Sequence, residues 1–228
     1  MKIRVRFGKE GILQYIGHLD VLRTFQKIFR RAGLPMAYSQ GFSPHPIMSF
    51  ALPLGLGLTS EGEYLDSELT EEIPAEEILA RLQAATAEEL PVYAVTILPP
   101  DKSENAMSSV GRALYRLESL EELPEEAQEG IRRAADELLT APSVVIRKQT
   151  KTKEADADIR PMIFRIETDG AQLLLELAAG SAANLKPELA AGTMFERAGL
   201  LFERSAWRIR RLDLMRADGR SLSLLEET

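Results

Sequence analysis

Both histidines of the chain, His18 and His45, fall within residues 17–46, and the same stretch carries Asp20, Arg23, Lys27, Arg30 and Arg31. Imidazoles titrate near neutrality, so a pair of them is the smallest acid–base set that could cleave an RNA strand. His18, Asp20 and His45 are the catalytic candidates on that ground. A carboxylate in the first turn of a helix is equally well explained by the helix dipole. No G-x-G-x-x-G, P-loop, G-x-S-x-G or H-E-x-x-H pattern occurs, so dinucleotide, nucleoside triphosphate, esterase and zinc-protease chemistries have no motif behind them. The cysteine count is zero. That removes disulfides, thiolate zinc sites, cysteine nucleophiles and cysteine-held iron–sulfur clusters. Neither a metal nor a cofactor is expected, and the protein reads as non-catalytic rather than enzymatic.

The cations make a stronger pattern. Over residues 1–50 eight of them stand against Glu10 and Asp20, a net +6, which leaves −13 on the other 178 residues of a chain whose formal charge is −7. Arg4, Arg6 and Lys9 lie on an opening alternating segment. Arg23, Lys27, Arg30 and Arg31 lie opposite an apolar helical stripe. Tyr38, Gln40, Phe42, Ser43 and His45 follow in a glycine- and proline-rich loop. Cations that meet phosphates, beside aromatic rings that stack on unpaired bases, are the footprint of a single-strand RNA surface. Taken alone, each of the Tyr38 and Phe42 rings is better read as core packing; their value here comes from adjacency to the cations. A second basic cluster, Arg147, Lys148, Lys151, Lys153 and Arg160, reads as a polar hairpin loop that could close over a polyanion, although Asp156 and Asp158 dilute it.

The elements that must position these groups follow from periodicity. Residues 2–7 alternate with period two, which places Ile3, Val5 and Phe7 on a buried face and Lys2, Arg4 and Arg6 on an exposed one. A helix is predicted from Leu19 to Ala32, packed through Val21, Leu22, Phe25, Ile28 and Phe29 and stopped by Gly33 and Pro35. A strand (64–69), a helix (74–87) and a strand (92–98) come next. After Pro99-Pro100 the pattern gives a strand (113–118), a helix (124–139), strands at 143–149, 162–168 and 171–178, a helix (187–198) and a strand (206–215). Thr168-Asp169-Gly170 is a hairpin turn signal. The expected fold is α+β, two tandem ferredoxin-like (split βαβ) two-layer units over 1–100 and 110–228. No apolar run reaches the length of a membrane span and the N-terminus lacks a signal-peptide core, so a cytoplasmic protein without a membrane partner is expected.

Several blocks go beyond pattern: Lys9 and Gly11; His18-Leu19-Asp20; Arg30 to Pro35; Ser39 to Pro46; Phe50-Ala51-Leu52-Pro53; and Glu61 to Asp66. In these the chain resembles the radical SAM-associated, or radical SAM-linked, bacterial proteins, which are encoded beside or fused to a radical S-adenosylmethionine protein. Gly17 departs from that resemblance, standing where the family often has serine. The resemblance implies a separate radical SAM enzyme as partner, since this chain has no cysteine to hold such a cluster. The leading expectation is therefore a non-catalytic accessory protein that binds RNA or an RNA-borne substrate. The alternatives are a metal-independent RNA-processing endonuclease using His18 and His45, and a protein–protein interaction scaffold.

Overall fold

Strand β1 (Lys2–Lys9) is the centre of the first unit. The structure, a computed structural model of the chain, describes residues 1–100, 105–149 and 154–223. Strand β1 pairs antiparallel with β3 (Thr59–Glu68) on one side and with β4 (Val92–Leu98) on the other. The short β2 (Met48–Phe50) adds to β3 through Met48–Ser67 and Phe50–Leu65, which gives the order β4-β1-β3-β2. Helices α1 (His18–Arg31) and α2 (Ala75–Ala85) supply the cover. Phe25, Phe29, Ile78 and Leu82 bury against Ile3, Val5 and Phe7 of β1, and the rings of Phe7, Phe25 and Phe50 meet edge to face or tilted at 4.5–6.2 Å.

Helix α1 ends where the sequence says it should. Gly33 takes φ +64°, its N–H donates to the Arg30 carbonyl, and the Leu34 N–H donates to that of Phe29, the paired bonds of a Schellman cap. The left-handed residue is the reason a glycine stands there.

The chain divides into two units, Met1–Gly111 with Arg211–Thr228, and Arg112–Arg210. Residues 211–228 fall with the first of these units. The physical reason lies in β10 (Trp207–Met215). Its end from Arg211 onward lies beside β3, and the chain then turns back, with the Leu222 N–H on the Leu214 carbonyl and the Arg216 N–H on that of Arg220. Helix α3 (Ala106–Ser109), capped by the Asn105 side chain on the Met107 N–H, stands in a stretch where the sequence shows no period.

In the second unit, β5 (Arg112–Ser119) pairs antiparallel with β9 (Gln172–Ala178), which pairs with β8 (Ile163–Asp169) across the turn at Gly170, φ +56°. The 207–210 end of β10 belongs to this unit, giving the order β10-β5-β9-β8. Helices α4 (Glu125–Thr140) and α5 (Pro187–Arg197) complete it, and Phe195, Phe202 and Trp207 form an aromatic cluster. A separate hairpin, β6 (Val145–Gln149) with β7 (Glu154–Asp158), occupies the region expected to be a basic loop. The fold is mixed α/β. No helix among the described residues is long and apolar enough to cross a membrane.

Candidate nucleic-acid interface

Helical spacing brings Arg23, Lys27, Arg30 and Arg31 onto one side of α1, since steps of four, three and one residues keep them within about a quarter turn. All four are exposed, as expected. Arg23 is paired with Asp20 at 3.0 Å on the surface, which accounts for Asp20 structurally. Lys27, Arg30 and Arg31 have no ion pair among the described residues.

The loop that follows is built around one contact. Ser39 Oγ lies 2.9 Å from His45 Nδ1 and accepts the His45 N–H at 3.1 Å, while the Ser39 N–H donates to the His45 carbonyl at 2.9 Å. Just outside it, Tyr38 bridges to Pro46. Residues 39–45 thus form a closed loop with a hydrogen-bonded base. Gln40, Phe42, Ser43 and His45 are all exposed, Phe42 completely, and Tyr38 is 45% exposed. A fully solvated phenylalanine at the tip of a clamped loop has no packing role, so core packing does not account for Phe42.

Other members of the expected set are elsewhere, and three of them are corrected. Arg4 is buried: its Nε donates to Asp66 Oδ1 at 2.8 Å, one terminal nitrogen to Asp66 Oδ2 at 3.0 Å, and the other to the Leu222 carbonyl at 3.2 Å. The returning C-terminal segment reaches this face at Arg4, so alternation leaves Lys2 exposed but buries Arg4 and half-buries Arg6. Lys9 is also buried, 2% exposed, with its ammonium on the Ile16 carbonyl at 2.9 Å. Burial pulls its pKa below the usual lysine value; Glu63 opposes that pull and Arg211 adds to it. Arg160 spends its guanidinium on the Leu139 and Ile163 carbonyls at 2.6 and 2.8 Å, closing the base of the β6–β7 hairpin rather than facing a ligand. Arg6 is half-buried, its Nε without a hydrogen bond and its guanidinium 6.0 Å from the Tyr93 ring centroid. Lys151 and Lys153 lie outside the described residues.

No hydrogen bond joins His18, Asp20 and His45. His18 heads α1 and lines a pocket with Lys9, Asp20 pairs with Arg23, and His45 is held by Ser39. No group of three or more His, Cys, Asp or Glu among the described residues is arranged to hold a metal ion.

The charged residues that pattern reading passes over are Glu63, Asp66 and Arg211. Glu63 and Arg211 are both buried and paired through two hydrogen bonds of 2.7 and 2.5 Å. Tyr64, next in the strand, donates to Asp213 at 2.5 Å and sits 3.1 Å from the Ser221 hydroxyl. Burial and the Asp213 carboxylate push its pKa up to about 12. The available signal is parity. Lys9 continues the 3-5-7 series of β1, and Arg211 the apolar series of Trp207 and Ile209, so both are charges at core positions.

Residues 2–187 match the model of a bacterial protein family. The chain belongs to DUF2344. That family is described as an uncharacterized protein conserved in bacteria. No curated protein matches this DUF2344 chain. Among solved structures it is similar to a chain of the crystal structure of a Cbf5-Nop10-Gar1 complex, with TM-score 0.49, 11% identity, and coverage of 93% of this chain and 48% of that one. A second is a chain of the crystal structure of the archaeal box H/ACA sRNP Nop10-Cbf5 complex, with TM-score 0.40, 10% identity, and coverage of 92% and 46%. The DUF2344 chain spans about half the length of these neighbours.

Proposed function

We propose that the first unit binds single-stranded RNA, with Lys27, Arg30 and Arg31 of α1 meeting the backbone and the clamped 39–45 loop presenting Phe42, and Tyr38 beside it, to unpaired bases. The observation that carries this reading is the coincidence, within sixteen residues of chain, of three exposed cations without ion pairs and a fully exposed ring on a closed loop. Cations supply salt-dependent affinity and rings supply stacking that every base can satisfy. The protein acts as a non-catalytic accessory in this reading. The family resemblance of the sequence makes a separate radical SAM enzyme its partner. We take each unit as ferredoxin-like, a view supported by the orders β4-β1-β3-β2 and β10-β5-β9-β8.

The test is fluorescence anisotropy with a labelled unstructured RNA across a salt series. Wild type is expected to show a linear log–log decline of affinity with salt. The Arg30→Gln/Arg31→Gln variant is expected to show a slope smaller by about 1.4, from about 0.7 for each phosphate that is no longer neutralised. An identical slope in the variant overturns the reading.

A second reading is favoured by a different observation. Ile12 (74% exposed), Tyr15 (71%), Leu19 (56%) and Leu56 (64%) leave apolar side chains in water near the start of α1, where the Gly57 N–H bonds the Gln14 carbonyl. Such a patch suits a protein partner. A pull-down with and without ribonuclease separates the two: a partner lost on digestion supports RNA, and one retained supports a scaffold.

A further inference from the structure

The β6–β7 hairpin is a two-stranded sheet, so among the described residues β6 has β7 on one edge and no strand on the other. The Ile159 N–H donates to the Val144 carbonyl at 2.9 Å, which turns the Val144 backbone toward β7. The parity of an antiparallel ladder then turns the backbone groups of Val145 and Arg147 away from β7. The base of the hairpin is fixed: Val144 and Ile159 are buried, the Val144 N–H donates to Asp158 Oδ1 at 2.8 Å, and Arg160 holds the Leu139 and Ile163 carbonyls. An open edge on an anchored strand is a template for another strand.

That edge forms one wall of a groove of about 700 Å³ that lies within the second unit. The wall is four consecutive residues, Val144 to Arg147; a strand presenting a face would contribute alternate residues, so it is the edge that lines the groove. The other wall is α5, which contributes Leu189, Gly192, Thr193, Glu196 and Arg197, a spacing that keeps to one side of the helix. The two walls run about 10 and about 12 Å, the length of an extended segment of about four residues. Gly192 stands inside the helix, where glycine is unfavourable, and nothing lies within 4 Å of where its Cβ would be. No close contact among the described residues requires that glycine; its effect is to keep the groove open.

Charge selects the kind of segment. Arg147 and Arg197 line the groove against Glu196, and Arg197 is exposed with no ion pair among the described residues. The inner edge of β6 is already matched to alternating acids, with Asp158 across from Val145, Asp156 across from Arg147 and Ala157 between them. A nucleic acid has no run of main-chain N–H and C=O groups to offer a strand edge.

We propose that the groove between β6 and α5 takes an extended acidic peptide segment of a protein partner, added to β6 as a further strand with its carboxylates toward Arg147 and Arg197. Main-chain bonds to the β6 edge supply affinity in this mode, and the side chains that alternate along the added strand supply specificity. The site does not rest on RNA binding by the first unit.

The test titrates the full chain with a blocked pentapeptide of alternating valine and aspartate and follows the backbone amide NMR signals of Val145, Gly192 and Thr193. The controls are the same peptide with lysine for aspartate, the aspartate peptide N-methylated along its backbone, and an unstructured RNA. The aspartate peptide is expected to shift the three signals saturably and to slow hydrogen exchange at Val145, while the controls leave them in place. Val145→Pro removes the outward N–H without touching the pairing to β7 and is expected to abolish the response. Gly192→Leu fills the groove from a helix that gains propensity; it is expected to weaken the peptide by about tenfold or more with Tm unchanged or raised, and it keeps the proposal testable should the proline variant misfold. No saturable response in wild type, equal response to the N-methylated peptide, unchanged affinity in Gly192→Leu, or a response to RNA alone overturns the proposal. A Val145 signal that moves with protein concentration alone puts a second copy on the edge and overturns it too.

Discussion

Arg211 holds Glu63 across 148 residues of sequence through Nε on Oε1 at 2.7 Å and a terminal nitrogen on Oε2 at 2.5 Å, with both side chains almost wholly removed from water. The terminal nitrogen also donates to the Leu52 carbonyl at 2.8 Å, so the guanidinium ties the loop after β2 to two strands. Pairs of this kind are costly to break from one side because the survivor is left charged and buried. Arg211→Met is expected to lower stability by about 3–5 kcal/mol, and Arg211→Met with Glu63→Leu to recover most of that deficit. Urea unfolding of the two variants beside wild type measures both; equal stability of the single and double variants would contradict the pairing.

At Gly62 the backbone of β10 lies tight against β3. A Cβ at that position would lie 2.1 Å from the Leu212 carbonyl oxygen and 2.4 Å from the Asp213 Cα, both backbone atoms that cannot swing aside. Gly62→Ala is expected to destabilise by about 3 kcal/mol. At this chain length that is a fall in Tm of about 6–12 °C, seen by calorimetry.

Gly17 is the opposite case. It is the N-cap of α1 in extended geometry (φ −72°, ψ 159°), with no side-chain cap and no atom within 4 Å of where a Cβ would stand. Gly17→Ser supplies a hydroxyl for the free N–H groups of the first turn and is expected to stabilise by a few tenths of a kcal/mol. A small upward shift of the urea midpoint at constant slope is the readout, and destabilisation would show that the cap geometry is wrong.

Tyr64 makes alkaline stability depend on one hydroxyl. Its pKa rises from 10.0 to about 12 on folding, so between those values the unfolded chain has released a proton that the folded chain still holds. The contribution is fully present below pH 10 and is lost as pH climbs toward 12, by about 3 kcal/mol in all. Tyr64→Phe has no such proton, so the stability difference between wild type and variant should shrink over that window. Absorbance of the ionised phenol in the folded protein gives the pKa directly; a value near 10 would contradict the buried bond to Asp213.

Phe42 carries no packing, being fully exposed, so Phe42→Ala should leave stability within about 0.5 kcal/mol of wild type. RNA affinity should fall by about 1–3 kcal/mol, the usual value of one stacked base. Ser39→Ala removes the hydroxyl that closes the loop on His45 and should weaken RNA less than Phe42→Ala, because it costs only preorganisation. Anisotropy titrations at one fixed salt concentration compare all three proteins, and unchanged affinity in Phe42→Ala removes the ring from the interface.

Much of this architecture is legible in the chain. Periodicity predicts α1 over Leu19–Ala32 and the helix runs His18–Arg31; it predicts α5 over 187–198 and the helix runs Pro187–Arg197. Both have an apolar stripe and a glycine stop, which are local signals. Alternation predicts a start of β3 at Tyr64, yet the strand starts at Thr59, because Ser60, Glu61, Gly62 and Glu63 show no apolar alternation. What makes that part a strand is its pairing with β1, Glu63 on Phe7 and Ser60 on Lys9, together with β10 and the Arg211 guanidinium on its other side, none of which is near in sequence. The exposed α1 cations are legible for the same local reason, polar residues opposite a stripe; the exposure of Phe42 is not, because an apolar glycine- and proline-rich segment reads equally as one folded down onto the core.

Sequence alone determined that there is no thiol chemistry, that helices and strands are mixed along the chain, and that positive charge gathers in the first fifty residues. Tertiary structure decided which of those charges meet water. Arg4 has the spacing signal of an exposed cation and Lys9 only a parity signal against it, yet both are buried, Arg4 on a carboxylate 62 residues away and the Leu222 carbonyl, Lys9 with its ammonium on the Ile16 carbonyl. The reason is physical: period and propensity act over neighbours a few residues apart, whereas desolvation depends on whatever the whole chain lays on top.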